Sequence, residues 1–115
     1  MAGRLTTHVL DTSAGRPASG VVLSLARPGD PKVLAERVTN ADGRVDGAIL
    51  EGEDFKAGTY ELSFRIGDYY RSAGVTLAEP AFLDIVVIRF GLGDEGHYHV
   101  PLLVSPYGYS TYRGS

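Results

Sequence analysis

Apolar and polar positions alternate most regularly between Thr59 and Ile66, where Tyr60, Leu62, Phe64 and Ile66 share one face and Thr59, Glu61, Ser63 and Arg65 the other. A period of two with one wet face predicts an antiparallel strand half buried against a core. The same period runs from Leu5 to Leu10, placing Thr6, His8 and Leu10 opposite Leu5, Thr7 and Val9. From His97 to Val104 it turns Tyr98, Val100, Leu102 and Val104 toward the core and His97, His99, Pro101 and Leu103 outward. Val21 to Ala26 and the less regular Lys32 to Thr39 predict two more strands, joined by a hairpin through Pro28-Gly-Asp-Pro31. Phe82 to Phe90 is apolar on both faces. Only one face of a strand meets the core of a small sandwich, so this segment predicts contact with a second subunit and hence a homo-oligomer.

Between the strands lie turn formers. Asp11-Thr-Ser-Ala-Gly-Arg-Pro ends the first strand, and Asp42-Gly43 is a tight-turn signal that holds Arg44 just past a rigid bend. Residues 51 to 58 read as a loop with a short turn, and Gly67 to Gly74 as the one short helix. Gly91-Leu-Gly-Asp-Glu-Gly96 precedes a strand rather than a helix, which argues against a phosphate-cradling loop and for a hairpin connection. Seven or eight short strands at near-regular spacing predict an all-β sandwich of two sheets.

Composition narrows the function classes. The 115 residues predict one domain, long enough to bury about two-thirds of the unfolded surface. A net charge of −3, with no run of Lys or Arg in either half, argues against nucleic acid and anionic membranes as partners. The absence of cysteine removes disulfide scaffolds, thiolate nucleophiles and zinc sites built on sulfur. No apolar run reaches membrane-spanning length and no signal-peptide pattern opens the chain, so a soluble, cytoplasmic protein is expected.

The candidate chemistry gathers at the end of the chain. Residues 97 to 115 hold two of the three histidines and four of the seven tyrosines, where chain ends are usually polar and frayed. The bland reading is a strand over His97 to Val104 followed by a second strand or a loose tail. The sharper one has His99 facing a cleft that a pinned tail lines with Tyr112, Arg113 and Ser115. His97 and His99 with His8 could also offer three imidazoles to zinc, although His-x-His on a strand is as often surface decoration. Ser13, Ser105, Ser110 and Ser115 lie in no nucleophile elbow, which disfavours a covalent serine mechanism. Acid–base chemistry remains, with a histidine activating water and arginines holding a polar or anionic substrate.

Four separated pieces, Thr7-His8-Val9-Leu10-Asp11, Asp42-Gly43-Arg44, His97-Tyr-His-Val-Pro-Leu-Leu103 and Tyr112-Arg-Gly-Ser115, resemble those of the transthyretin-like 5-hydroxyisourate hydrolases, in the same order and at similar spacing. The likeness covers essentially the whole chain. Its specific part is the ending Tyr-Arg-Gly-Ser, because transthyretins proper share the fold without it.

The resemblance implies a prealbumin-like sandwich of two four-stranded sheets with one short helix near residues 68 to 73. It implies a homotetramer, a dimer of dimers with sites in the channel between dimers. No cofactor or metal is implied. The activity would be ring-opening hydrolysis of 5-hydroxyisourate, with His8, Arg44 and His99 in the catalytic positions and Tyr112, Arg113 and Ser115 binding substrate. His8 and His99 would act as an acid–base pair and Arg44 would stabilise the oxyanion, while a carboxylate on Ser115 would order Arg113 or a histidine. His97 is expected to be an exposed neighbour, with a supporting hydrogen bond as the lesser reading. The competing readings are a transthyretin-type carrier of a small aromatic ligand and a structural sandwich without a site.

Overall fold

The computed structural model describes residues 3–114. In chain order it runs β1 (Arg4–Asp11), β2 (Arg16–Pro17), β3 (Val22–Ala26), β4 (Val33–Val38), β5 (Leu50–Glu51), a 3-10 turn (Gly52–Asp54), β6 (Gly58–Arg65), α1 (Ile66–Ser72), β7 (Ile85–Leu92), β8 (His97–Ser105) and β9 (Gly108–Thr111). One sheet has the order β2-β1-β8-β9, with β5 also pairing the start of β1; the other has the order β4-β3-β6-β7. The all-β sandwich of two sheets is the architecture the strand pattern predicts, and four strands to a sheet, with a small fifth in one, is what the resemblance implies.

The core forms where the two inner faces meet. Leu5 and Val9 of β1, Leu102 and Val104 of β8, Leu23 and Leu25 of β3, and Tyr60, Leu62 and Phe64 of β6 are all buried. Each large apolar side chain so placed contributes about 1.5–3 kcal/mol relative to exposure. Ile66 at the start of α1 continues this face, and the helix caps the core with Tyr70. The helix is tied to β1 through Asp11, whose carboxylate accepts the hydroxyls of Tyr69 at 2.8 Å and Tyr70 at 2.9 Å.

Two expectations are corrected. Gly91 to Gly96 is not a hairpin connection, because β7 and β8 belong to different sheets and β8 pairs in parallel with β1. Glycine-rich turn chemistry marks a reversal without saying which sheet the chain enters next. The apolar run from Phe82 becomes a strand only at Ile85, and Phe82 itself is exposed, its ring 6.0 Å from that of Tyr107.

Candidate active site

The parallel register of β1 and β8 sets Arg4 beside His97, Thr6 beside His99 and His8 beside Pro101. Alternate side chains share a face, so Arg4, Thr6, His8, His97 and His99 all leave this sheet on the side away from the core. Histidines 91 positions apart in the chain therefore meet: His8 Nδ1 lies 2.6 Å from His99 Nε2, with ring centroids 4.8 Å apart and planes tilted by 33°.

Arg44 arrives by a local device. Asn40 Oδ1 accepts the N–H of Asp42 at 2.9 Å and of Arg44 at 3.2 Å, and Gly43 turns the chain at φ +73°. The N–H of Val9 donates to the Gly43 carbonyl at 2.8 Å, and a Cβ on Gly43 would run into the Val9 carbonyl oxygen. Only glycine lets this turn lie against β1, and the next residue, Arg44, then forms a single antiparallel bridge with His8.

The tail closes the other side. Tyr/Ser/Gly/Thr residues form β9, antiparallel to β8, and the chain then returns so that the Gly114 N–H donates to the His99 carbonyl at 2.7 Å. The Arg113 guanidinium carbon stands 4.2 Å above the Tyr98 ring, whose hydroxyl accepts the Gly93 N–H at 3.0 Å. Tyr112 is exposed. Ser115, also expected in the site, lies outside the described residues.

A cavity of about 630 Å³ is bordered by His8, Arg44, His99, Tyr112 and Arg113, the five described candidates. Thr6, Arg4, His97 and Gly114 border it as well. Thr6 was legible only as a face-mate of His8, and its role depends on a strand pairing that alternation does not specify. Its hydroxyl lies 2.7 Å from His99 Nδ1 and 2.9 Å from His97 Nε2. His97 is exposed, as expected, but hydrogen-bonded. His99 points away from the core yet is only 8% exposed, because its neighbours on the outer face and the returning tail cover it.

Burial, and then the charge of Arg44, holds the His8 imidazole below its ordinary range. His99 is pushed down to about 4, again first by burial and then by His8, Arg44 and His97. Both rings are consequently neutral near pH 7, each with one N–H and one lone pair. Both His99 nitrogens are engaged, Nδ1 with Thr6 and Nε2 with His8, while His8 Nε2 bonds to none of the described residues. The three histidines thus form a hydrogen-bonded row, and the ring nitrogens of His99 already face partners within it.

A family model described as the HIUase/Transthyretin family matches residues 5–114. The chain belongs to this family. Within it, 5-hydroxyisourate hydrolase 2 of Rhizobium meliloti (strain 1021) is 64% identical over 116 residues, covering 98% of this chain and 97% of the relative. The structure of Klebsiella pneumoniae 5-hydroxyisourate hydrolase superposes with a TM-score of 0.83 at 40% identity, covering 98% and 99% of the two chains. The crystal structure of (S)-allantoin synthase gives a TM-score of 0.92 at 46% identity, over 98% of this chain but 44% of that longer one.

Proposed function

We propose that the protein is a hydrolase that opens the ring of 5-hydroxyisourate to 2-oxo-4-hydroxy-4-carboxy-5-ureidoimidazoline. The observation that carries this reading is the 2.6 Å contact between neutral His8 and His99, beside Arg44 and on the wall of a polar cavity. Its support from relatives is the hydrolase name borne by a protein 64% identical to this chain.

His8, on the cavity wall with Nε2 unengaged by the described residues, takes the proton from water as that water attacks the C6 carbonyl of the substrate. His99 backs it through their shared hydrogen bond, and the pair returns a proton to the leaving ring nitrogen. General acid–base catalysis of this kind contributes about 10² to 10⁴ in rate. The Arg44 guanidinium, next to His8, stabilises the oxyanion, a contribution of about 10² to 10³. Arg113, steadied on Tyr98, and Tyr112 hold the polar substrate from the tail side.

A carrier of aromatic ligands fits this cavity less well, since its wall carries three guanidinium groups, from Arg4, Arg44 and Arg113, and three imidazoles. With the enzyme reading go a cytoplasmic location and a homotetramer built as a dimer of dimers. The assembly finds support in β7, an edge strand of its sheet whose Ile85 and Val87 are exposed.

The test is to mix the protein with freshly generated 5-hydroxyisourate and follow the decay of its ultraviolet absorbance. Wild type should accelerate the decay, and His8→Ala, His99→Ala and Arg44→Ala should each lower kcat by at least about a hundredfold while remaining folded. Near-normal turnover by His99→Ala would refute the assignment of the pair, and no acceleration by wild type would refute the function.

A further inference from the structure

The hydrogen-bonded row does not stop at the two histidines that face one another. Along the cavity wall it passes from His8 Nδ1 to His99 Nε2 at 2.6 Å, from His99 Nδ1 to Thr6 Oγ1 at 2.7 Å, and from Thr6 Oγ1 to His97 Nε2 at 2.9 Å. It crosses between β1 and β8 three times and ends on an exposed ring. His97 also borders a second cavity of about 560 Å³, whose wall includes Glu51 and Glu95.

Counting hydrogens leaves few options. Each neutral imidazole has one N–H and one lone pair, and the Thr6 hydroxyl has one hydrogen for two nitrogen partners. The hydroxyl must donate to one ring and accept from the other. All three bonds are then made in only two orders. In the first, His8 Nδ1–H donates to His99, His99 Nδ1–H donates to Thr6, and Thr6 donates to His97 Nε2, which leaves a lone pair on His8 Nε2. In the second every bond is reversed and His8 Nε2 carries a hydrogen.

We propose that Thr6 and His97 complete a proton relay that lets His8 exchange protons with solvent at the exposed His97 ring, with Thr6 as a positioning residue that sets the tautomer of His99. This deepens the hydrolase reading and rests on it for the reaction served. As water adds to the carbonyl, its proton goes to His8 Nε2, the His8 Nδ1 hydrogen to His99 Nε2, the His99 Nδ1 hydrogen to Thr6 Oγ1, and the Thr6 hydrogen to His97 Nε2. The His97 Nδ1 hydrogen leaves to water. When the C–N bond breaks, the leaving nitrogen takes the hydrogen from His8 Nε2 and the same shifts run backward, with His97 Nδ1 regaining a proton from water. The net change is H on nitrogen and OH on the acyl carbon, and the row returns to its first order.

The relay answers an electrostatic difficulty of the site. A base that kept the proton would become an imidazolium beside Arg44 in a half-buried wall, where burial and the neighbouring cation both oppose it. Handing the proton on to water at the exposed His97 ring, which has Arg4 beside it and Glu51 and Glu95 on the wall of the second cavity, leaves His8 neutral beside Arg44.

The experiment combines kinetics on 5-hydroxyisourate in H₂O and D₂O with ¹⁵N NMR of the imidazoles in the resting protein. Thr6→Val keeps the shape and removes the hydroxyl. It should lower kcat by about tenfold or more, leave KM within about twofold, and abolish the curvature of the wild-type proton inventory. Thr6→Ser should restore all three. His97→Ala should show the same loss of kcat and regain activity with added imidazole. In the spectra, Thr6→Val should redistribute the hydrogen between the two His99 nitrogens. Thr6→Val and His97→Ala turning over within about twofold of wild type would overturn the relay, as would a His97→Ala defect that imidazole does not relieve. Wild type inactive on 5-hydroxyisourate would sink the functional reading, and the spectra would then decide the relay: an unchanged His99 nitrogen pattern in Thr6→Val overturns it.

Discussion

Gly114 lies against His99: its N–H donates to the His99 carbonyl at 2.7 Å, and a Cβ added to it would stand 2.9 Å from His99 Cδ2 and 3.0 Å from His99 Cβ. The imidazole cannot retreat freely, because its two nitrogens are fixed by Thr6 and His8. Gly114→Ala therefore displaces either the ring or the tail. A misplacement of about 1 Å in a reacting group costs roughly a hundredfold. The expected result is a drop in kcat/KM of about tenfold to a hundredfold with the thermal midpoint moved by only a few degrees, checked by steady-state kinetics and calorimetry. Unchanged kcat/KM would show that the tail does not position His99.

The pH dependence follows from the two depressed imidazoles. His99 is held at about 4, by burial and then by His8, Arg44 and His97, and His8 is held below its ordinary value by burial and then by Arg44. Catalysis by the neutral pair should then persist below pH 6.5 and fall only as the coupled pair takes up a proton. The stability has its own sign. In the unfolded chain each ring titrates near its reference value of about 6.5, so below that pH the unfolded state binds more protons and unfolding becomes easier. The effect of His99 grows from about pH 6.5 down to about 4 and then levels off. His99→Gln should flatten the stability profile in that window, measured by urea unfolding at a series of pH values. An activity limb centred at or above pH 6.5 in wild type would contradict the assignment.

Asp11 titrates with the same sign in a more acidic window. Burial pushes its carboxyl up, but the hydroxyls of Ser13, Tyr69 and Tyr70 and the N–H of Ala14 outweigh this and hold it below its ordinary range. The charged form is the bound form, so its stabilisation is present above the unfolded value of about 3.9 and is lost as the pH falls through the lower folded one. Asp11 is 3% exposed and belongs to the core face of β1, opposite the cavity. Asp11→Asn should cost on the order of 2 kcal/mol in urea unfolding at pH 7, since two tyrosine hydroxyls lose a charged acceptor. Its kcat on 5-hydroxyisourate should match wild type under conditions where it is folded.

The alternation of Thr59 to Ile66 and of Leu5 to Leu10 was legible because a period of two reads directly as core face and outer face, and the buried rows match it. The Asp42-Gly43 turn was legible for the same local reason. Long-range pairing was not. Nothing in the spacing of His8 and His99 says that β1 and β8 run parallel in a register that sets Thr6 beside His99. The outward face of His99 could be read, but not its burial, which the returning tail and the neighbouring strand supply. Thr6 shows the limit most clearly, since a threonine on a wet strand face has no chemical signature until two rings from another strand flank it.

Assembly gives the last prediction. Strand β7 ends its sheet, and along it Val86, Ile88 and Leu92 are buried while Ile85 and Val87 stand 49% and 44% exposed. An apolar edge of this kind invites pairing with a second copy, and a charge placed on it opposes that pairing. The wild-type chain of 12.3 kDa should scatter light as a species of about four times that mass if the proposed tetramer forms. Ile85→Lys combined with Val87→Lys should shift it to smaller species while circular dichroism stays that of a β protein, because neither side chain contributes to the core. Turnover then separates two arrangements: a site complete within one chain retains activity in the smaller species, and a site in a channel between dimers loses it. A double variant that still scatters as a tetramer would move the interface off β7.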